Sequence, residues 1–311
     1  MGGAPFFIID DIDEDEYQEE IEKELDEERS TYCNWVRNKL VYSPAADVEI
    51  VKKAEAGIYK INNDMALVRQ SIVSDNLYKL SDSEIDPILE EVNKFWDKME
   101  NFKKGKLIHK RGILLAGPPG SGKSSLITLI IDDLIKKYNG IVLLINNVND
   151  FTKVYDFLKS TFRRIEPDTF VITVIEDIDK IANTAILPEL LDFLDGKNSV
   201  EHHLVIATSN DTSEMPDALL RVSRLDRQFY IGYPSELARR EYFINKGVEE
   251  ELLDDYVKYS EELTISELKE LYIGTYILGN SFEEVVDQIM NPFEKKEYSA
   301  KKSTAKQISI D

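Results

Sequence analysis

The sequence predicts an α/β fold: a five-stranded parallel sheet covered by helices on both faces, with a small helical lid after it and a small appended region before it. Three observations carry this. Apolar strand-like runs alternate with helical patterns from Arg111 to Gly232, as in a parallel sheet buried on both sides. A glycine-rich run, Gly117 to Ser124, lies between the first of these strands and the helix after it. Beyond Tyr233-Pro234 the pattern becomes wholly helical.

Five regions follow in chain order. Residues 1–40 read as an acidic arm, helical or partly disordered. Within it Asp10 to Glu28 holds thirteen Asp or Glu against Lys23 alone, a net of −12 out of the chain's −21. Tyr17, Ile21 and Leu25 leave only a narrow apolar stripe there, so the arm either solvates itself or docks on a basic partner. Residues 41–80 read as a small appended region. Val48-Glu49-Ile50 and Gly57 to Ile61 alternate like short strands, and Asn62-Asn63-Asp64 supplies turn chemistry.

Residues 81–234 form the large domain with its leading helix. Ser81 to Glu84 reads as a capping box, and Ile85, Ile88, Leu89, Val92, Phe95, Trp96 and Met99 follow at helical spacing. The strands are then GILLAG, IVLLIN, TFVITVIED, HLVIATSN and QFYIGY. Residues 235–290 form a lid of three or four helices. Residues 291–311 are polar and lysine-rich, and are expected to be disordered.

Composition narrows the function. A chain of 311 residues, 42% hydrophobic and 31% charged, can bury a sizeable core. Its net charge of −21 argues against a nucleic-acid backbone or an anionic membrane as the main partner. One cysteine, Cys33, allows no intrachain disulfide and no cysteine-rich metal site. No apolar run approaches the length of about eighteen residues that a membrane span needs, and no basic, apolar leader opens the sequence. No membrane span and a cytoplasmic location are therefore expected.

The strand Gly112 to Ala116, the run GPPGSGKSS and the helical pattern after it form a phosphate-binding loop in its required context. Gly117, Gly120 and Gly122 free the backbone to wrap phosphate with N–H groups, with Pro118, Pro119, Ser121 and Ser125 completing the loop. Lys123 suits the β- and γ-phosphates of ATP, and the Ser124 hydroxyl suits Mg²⁺. The strand ITVI then ends in Glu176 and Asp177, with Asp179 close behind. A carboxylate there holds Mg²⁺, and a second one orients or deprotonates the attacking water. The strand LVIATS ends in Asn210, whose amide can reach the γ-phosphate or that water. Arg221, Arg224 and Arg227 recur every three residues. Such a row is either a solvated face or a source of guanidinium charge for phosphoryl transfer, supplied across a subunit boundary.

The ordered set GPPGSGKS, VIEDID, VIATSN and PDALLRVSRLDR resembles the AAA family of ATPases, over about Ile85 to Met290. The stretch KFWDKMENFKKGKLIHKRGILLAGPPGSGKSSLI and the inverted pair Glu176-Asp177 look most like the subfamily named for the mitochondrial Rieske-protein translocase and its bacterial and viral relatives. The resemblance implies a homo-oligomeric ring, a hexamer or a heptamer, that binds ATP and Mg²⁺ between neighbouring large domains and acts on a protein substrate. It implies that Arg221 and Arg224 are the arginine fingers entering a neighbour's site. Position for position it gives the water-activating role to Asp177. Val222-Ser223 stands where the family commonly has Pro-Gly. Asn146 to Tyr155 occupies the place of the central-pore loop, so Phe151 and Tyr155 either grip substrate or pack in the following helix. A nucleotide-gated scaffold with slow hydrolysis and a DNA-associated loader are the rival readings.

Overall fold

The computed structural model describes residues 34–38, 41–45, 51, 53–71, 80, 81, 85–195, 200–213 and 215–291. The acidic run Asp10 to Glu28, the Val48–Ile50 alternation, most of the Ser81–Glu84 box and the lysine-rich tail lie outside these residues. The chain divides into two compact units, residues 1–54 and 55–311.

In the first unit β1 (Asn34–Asn38) and β2 (Val41–Ala45) form an antiparallel pair, with Trp35 opposite Pro44 and Asn38 opposite Val41. This corrects the helical expectation that ran to about Leu40. Trp35, Val36, Val41 and Tyr42 are aromatic or β-branched and favour a pleated pair over a helix.

The second unit is built on a seven-stranded sheet in the order β4-β3-β6-β7-β8-β5-β9. Its strands are β3 (Gly57–Ile61), β4 (Leu67–Gln70), β5 (Lys110–Ala116), β6 (Ile141–Ile145), β7 (Val171–Ile175), β8 (His203–Ser209) and β9 (Arg227–Tyr230). The five expected strands are present and parallel. The strand count is corrected from five to seven because β3 pairs in parallel with β6 and carries β4 antiparallel outside it. Asn62 makes that hairpin. Its side-chain oxygen accepts from the Asp64 and Ala66 amides at 3.0 and 2.9 Å, the local bond that suits Asn to turns.

Alternation along the strands builds the two faces of the sheet. Ile113, Leu115, Val142, Ile172, Val174, Leu204 and Ile206 point to one face and pack with α1 (Ile85–Asp97) and α3 (Lys123–Tyr138). Helix α3 buries Leu126, Ile127, Ile130, Ile131 and Leu134, one stripe at helical spacing, and ends at Asn139 in a left-handed conformation. Each such side chain, fully buried, contributes about 1.5–3 kcal/mol. The other parity, including Leu114, Leu143, Val205 and Ala207, is equally buried. It is covered by α4 (Val148–Phe157) and α7 (Leu187–Asp195), whose Phe151 and Phe193 rings meet edge-on at 5.5 Å. Short helices α2 (Met99–Lys104), α5 (Arg163–Ile165) and α6 (Ile178–Ala182) fill the connections.

After β9 come α8 (Glu236–Asn245), α9 (Glu250–Tyr259), α10 (Ile265–Tyr272) and α11 (Phe282–Met290), where the helical lid was expected. They share a separate core of Tyr242, Phe243, Leu253, Tyr256, Leu268, Leu271 and Val285. No helix among the described residues is long and apolar enough to cross a membrane.

Candidate active site

The loop Gly117 to Ser124 leaves β5 between two anchors. The Ile231 amide donates to the Ala116 carbonyl at 2.7 Å, and the Gly117 amide donates to the Ser209 carbonyl at 3.2 Å. Gly117 has φ 153°, and a side chain there would lie 2.0 Å from the Ile231 carbonyl oxygen, so only glycine fits. Gly120 and Gly122 also take positive φ, 80° and 102°. The Pro118 carbonyl accepts from Ser121 at 3.3 Å, Pro119 carries the chain between them, and the buried Ser121 hydroxyl has no partner among the described residues. Lys123 opens α3 with 7% of its surface exposed. Its ammonium donates to the carbonyls of Gly117 at 2.8 Å and Pro118 at 2.9 Å. Burial lowers the Lys123 pKa, and the charges of Asp177 and Asp179 act against that fall. Ser124 and Ser125 are exposed on the first turn of α3.

The strand order sets the tip of β7 between those of β6 and β8, and the two acids at that tip diverge. Asp177 takes the left-handed conformation, φ 49° and ψ 53°, uncommon for a residue with a side chain. Its amide donates to Thr208 Oγ1 at 3.0 Å, which fixes the bend. Its carboxylate accepts from Asn210 Nδ2 at 3.0 Å and Lys180 Nζ at 2.6 Å. Glu176 turns the other way and accepts from Asn146 Nδ2, at the tip of β6, at 2.9 Å. Asp179 follows on α6 with one buried carboxylate oxygen lacking a partner among the described residues.

The arginines lie elsewhere. The turn 221–226 packs on Gly112, whose missing side chain admits the Arg224 carbonyl. Five residues of strand, about 16 Å, separate Gly112 from Gly117, so this turn does not join the loop of its own chain. Arg221 is exposed, and its guanidinium has no partner among the described residues. Arg224 is held by Asp195 and the Ala218 carbonyl, and Arg227 lies 3.7 Å from Glu91. Phe151 is buried and stacks with Tyr155 at 5.9 Å, while Tyr155 donates to Asp192 at 2.5 Å. Both rings pack in α4, the second of the two expected placements.

Residues 113–233 match the family model described as ATPase family associated with various cellular activities (AAA). This segment is similar to an AAA ATPase domain. An AAA-ATPase of Arabidopsis thaliana is 28% identical over 247 residues, 72% of this chain and 47% of the relative. An ATP-dependent zinc metalloprotease FtsH 2 of Thermoanaerobacter is 27% identical over 246 residues, 68% of this chain and 47% of the relative. An ATPase family protein 2 homolog of Caenorhabditis elegans is 29% identical over 155 residues, 45% of this chain and 21% of the relative. The chain spans less than half the length of each of these relatives.

Residues outside the motifs singled out in the sequence also meet the loop and its neighbouring strand tips. Thr264 and Glu267 form a capping box at the start of α10, and the Ser266 amide donates to the Gly120 carbonyl at 3.1 Å. The first turn of α10 thereby touches the glycine-rich loop. The spacing Thr-Ile-Ser-Glu ahead of an apolar helix made that cap readable from sequence. Asn146 and Thr208 had no such local signal, because each acts through a partner on a neighbouring strand.

The loop fits a nucleotide's phosphates: its backbone turns at three glycines, the buried Ser121 hydroxyl is unsatisfied, and an ammonium lies within it. Among the described residues no cluster of three His, Cys, Asp or Glu side chains would hold a metal alone. Mg²⁺ suits one or two carboxylates together with phosphate oxygens, and the Ser124 hydroxyl with the Asp177 and Glu176 carboxylates is a donor set of that kind.

Proposed function

We propose that the chain is a Mg²⁺-dependent ATP hydrolase that works as a homo-oligomeric AAA ring and remodels or translocates a protein partner. The observation that carries the reading is the Asp177 carboxylate. It is bonded to Asn210, lies within the field of Lys123, and sits beside a glycine loop at the carboxyl ends of parallel strands. Bound ATP supplies the phosphoryl group, and Mg²⁺ supplies positive charge to its oxygens. The loop amides and Lys123 hold the phosphates. Ser124 and Glu176 hold the ion, Asp177 accepts a proton from water at its carboxylate, and Asn210 orients that carboxylate.

Arg221 completes a neighbour's site. Its exposure, and its distance from the loop of its own chain, support action across a subunit boundary. A hexameric or heptameric ring is the assembly proposed to bring that boundary about. The inverted order Glu176-Asp177 supports a place beside the Rieske-protein translocase subfamily, and a cytoplasmic location is proposed with it.

The test is nucleotide binding against turnover. Lys123→Ala loses binding. Asp177→Asn keeps binding and loses turnover by about a hundredfold or more, the usual worth of a general base. Wild-type turnover in Asp177→Asn would overturn the assignment.

A further inference from the structure

The middle of the arginine turn is unusual in its backbone. Ser223 has φ 77°, a left-handed conformation that suits glycine and strains a residue with a side chain. What holds it is the carboxylate of Asp226. Oδ1 accepts from the Ser223 amide at 2.8 Å, and Oδ2 accepts from the Gly112 amide at 3.1 Å. One side chain therefore ties the strained turn to the first residues of β5, the strand that ends in the phosphate loop. The fit is close: a side chain at Gly112 would lie 1.8 Å from the Arg224 carbonyl oxygen. Beyond the tie, Val222 is 86% exposed and Arg221 points its charge at no group of its own chain among the described residues.

We propose that Asp226 is the positioning residue of the arginine turn, holding Ser223 left-handed so that Arg221 is presented at a fixed place relative to β5. The idea rests on the reading above, in which Arg221 serves a neighbour's site. A carboxylate is needed because both groups facing it are N–H donors. An amide at this position accepts one of them and turns its own N–H toward the other. Asp226→Asn therefore releases one end of the tie while keeping volume and shape. Asp226 bonds to Gly112, five residues ahead of the phosphate loop. Its loss leaves the phosphate loop of the same subunit competent and misplaces the arginine offered to the next one.

Complementation between full-length proteins tests this. Alone, Asp226→Asn keeps wild-type affinity for a fluorescent ATP analogue and loses ATP turnover by about ten- to a hundredfold, the scale of a misplaced group. Lys123→Ala alone is inactive but offers an intact arginine turn. Mixing the two restores turnover, because an Asp226→Asn loop then meets a sound Arg221. Arg221→Ala mixed with Lys123→Ala is the reference pair.

Recovery in the reference pair without recovery for Asp226→Asn overturns the positioning role alone. Failure of the reference pair overturns the reading across subunits, and this proposal with it. Ser223→Gly adds a second arm, since glycine takes positive φ without strain. Placed in the Asp226→Asn background it raises turnover at least severalfold, and it carries the same mixing test if the single variant does not fold. An equal loss with Ser or Gly at position 223 would also overturn the proposal.

Discussion

Arg224 donates from Nε to the Asp195 carboxylate at 2.7 Å, with side chains 15% and 26% exposed, so one of the two expected fingers is tied within its own chain. Its Nη1 also donates to the Ala218 carbonyl at 2.5 Å. Removing the partner leaves a largely buried guanidinium without its counter-charge. Asp195→Asn should cost about 1–2 kcal/mol, between the values for exposed and buried pairs. Urea unfolding of both single variants and the double would measure it. Strictly additive losses in Asp195→Asn and Arg224→Ala would mean that the contact carries no energy.

Glu176 and Asp177 are adjacent in sequence but face different strands, and their variants should differ in kind. Glu176→Gln keeps its bond from Asn146 within reach but loses a negative charge near the proposed ion. Its turnover should recover as Mg²⁺ is raised, with an apparent Mg²⁺ affinity about tenfold weaker, equivalent to 1.4 kcal/mol. Asp177→Asn should show no such recovery. A Mg²⁺ titration of ATP turnover separates the two, and matching curves would assign the acids a single shared role.

Much of the site is local information and was readable. The strands β7 and β8 are buried at every position, which is why VITVI and HLVIATS stand out as unbroken runs. The loop Gly117 to Ser124 is one contiguous segment, and its strand and helix flank it directly. What escaped depends on partners distant in the chain. The alternation in GIYKI marks a strand but does not say that β3 will pair with β6. Asp195 and Asp226 look like surface acids until the turn 221–226 folds onto Gly112. The pair β1 and β2 was hidden because the residues around Trp35 also fit a helical period.

The lid contact gives a third expectation. Glu267 accepts from the Thr264 amide at 2.7 Å and from its hydroxyl at 2.8 Å, which fixes the first turn of α10 where Ser266 meets Gly120. Glu267→Ala should lower stability by about 0.5–2 kcal/mol, the range for a lost cap. It should also weaken nucleotide affinity, since the turn bonded to the phosphate loop loosens. Calorimetric titration with ATP measures the second effect, and unchanged affinity would mean that the lid does not sense the loop.

The chain's three histidines, at the opposite end of β5 from the loop, give a pH prediction. His109 is buried and stacked on Phe95 at 4.1 Å. Its Nε2 lies 2.9 Å from the Phe95 carbonyl, so the ring proton belongs there. Nδ1 is then a lone pair, facing His202 Nδ1 at 3.1 Å as acceptor. Burial lowers the pKa of both rings. Glu201 opposes this in each, while the facing His202 adds to the fall in His109 and Arg163 adds to it in His202, where Asp168 also opposes it. His203 is fully buried and held well below the ordinary value, with Lys110 and Arg163 adding to the effect. Folding thus favours neutral rings. The unfolded chain takes up protons near the ordinary value of 6.5, where the folded chain does not. Stability is therefore fully present above that value and is lost as pH falls below it toward the lowered folded values. Each histidine contributes a slope of at most about 1.4 kcal/mol per pH unit. Melting between pH 7.5 and 5.5, a window of about two units around the ordinary histidine value, should show a falling Tm. His109→Phe, which keeps the aromatic packing and removes one titrating ring, should flatten that fall. An equally steep fall in the variant would place the acid sensitivity elsewhere.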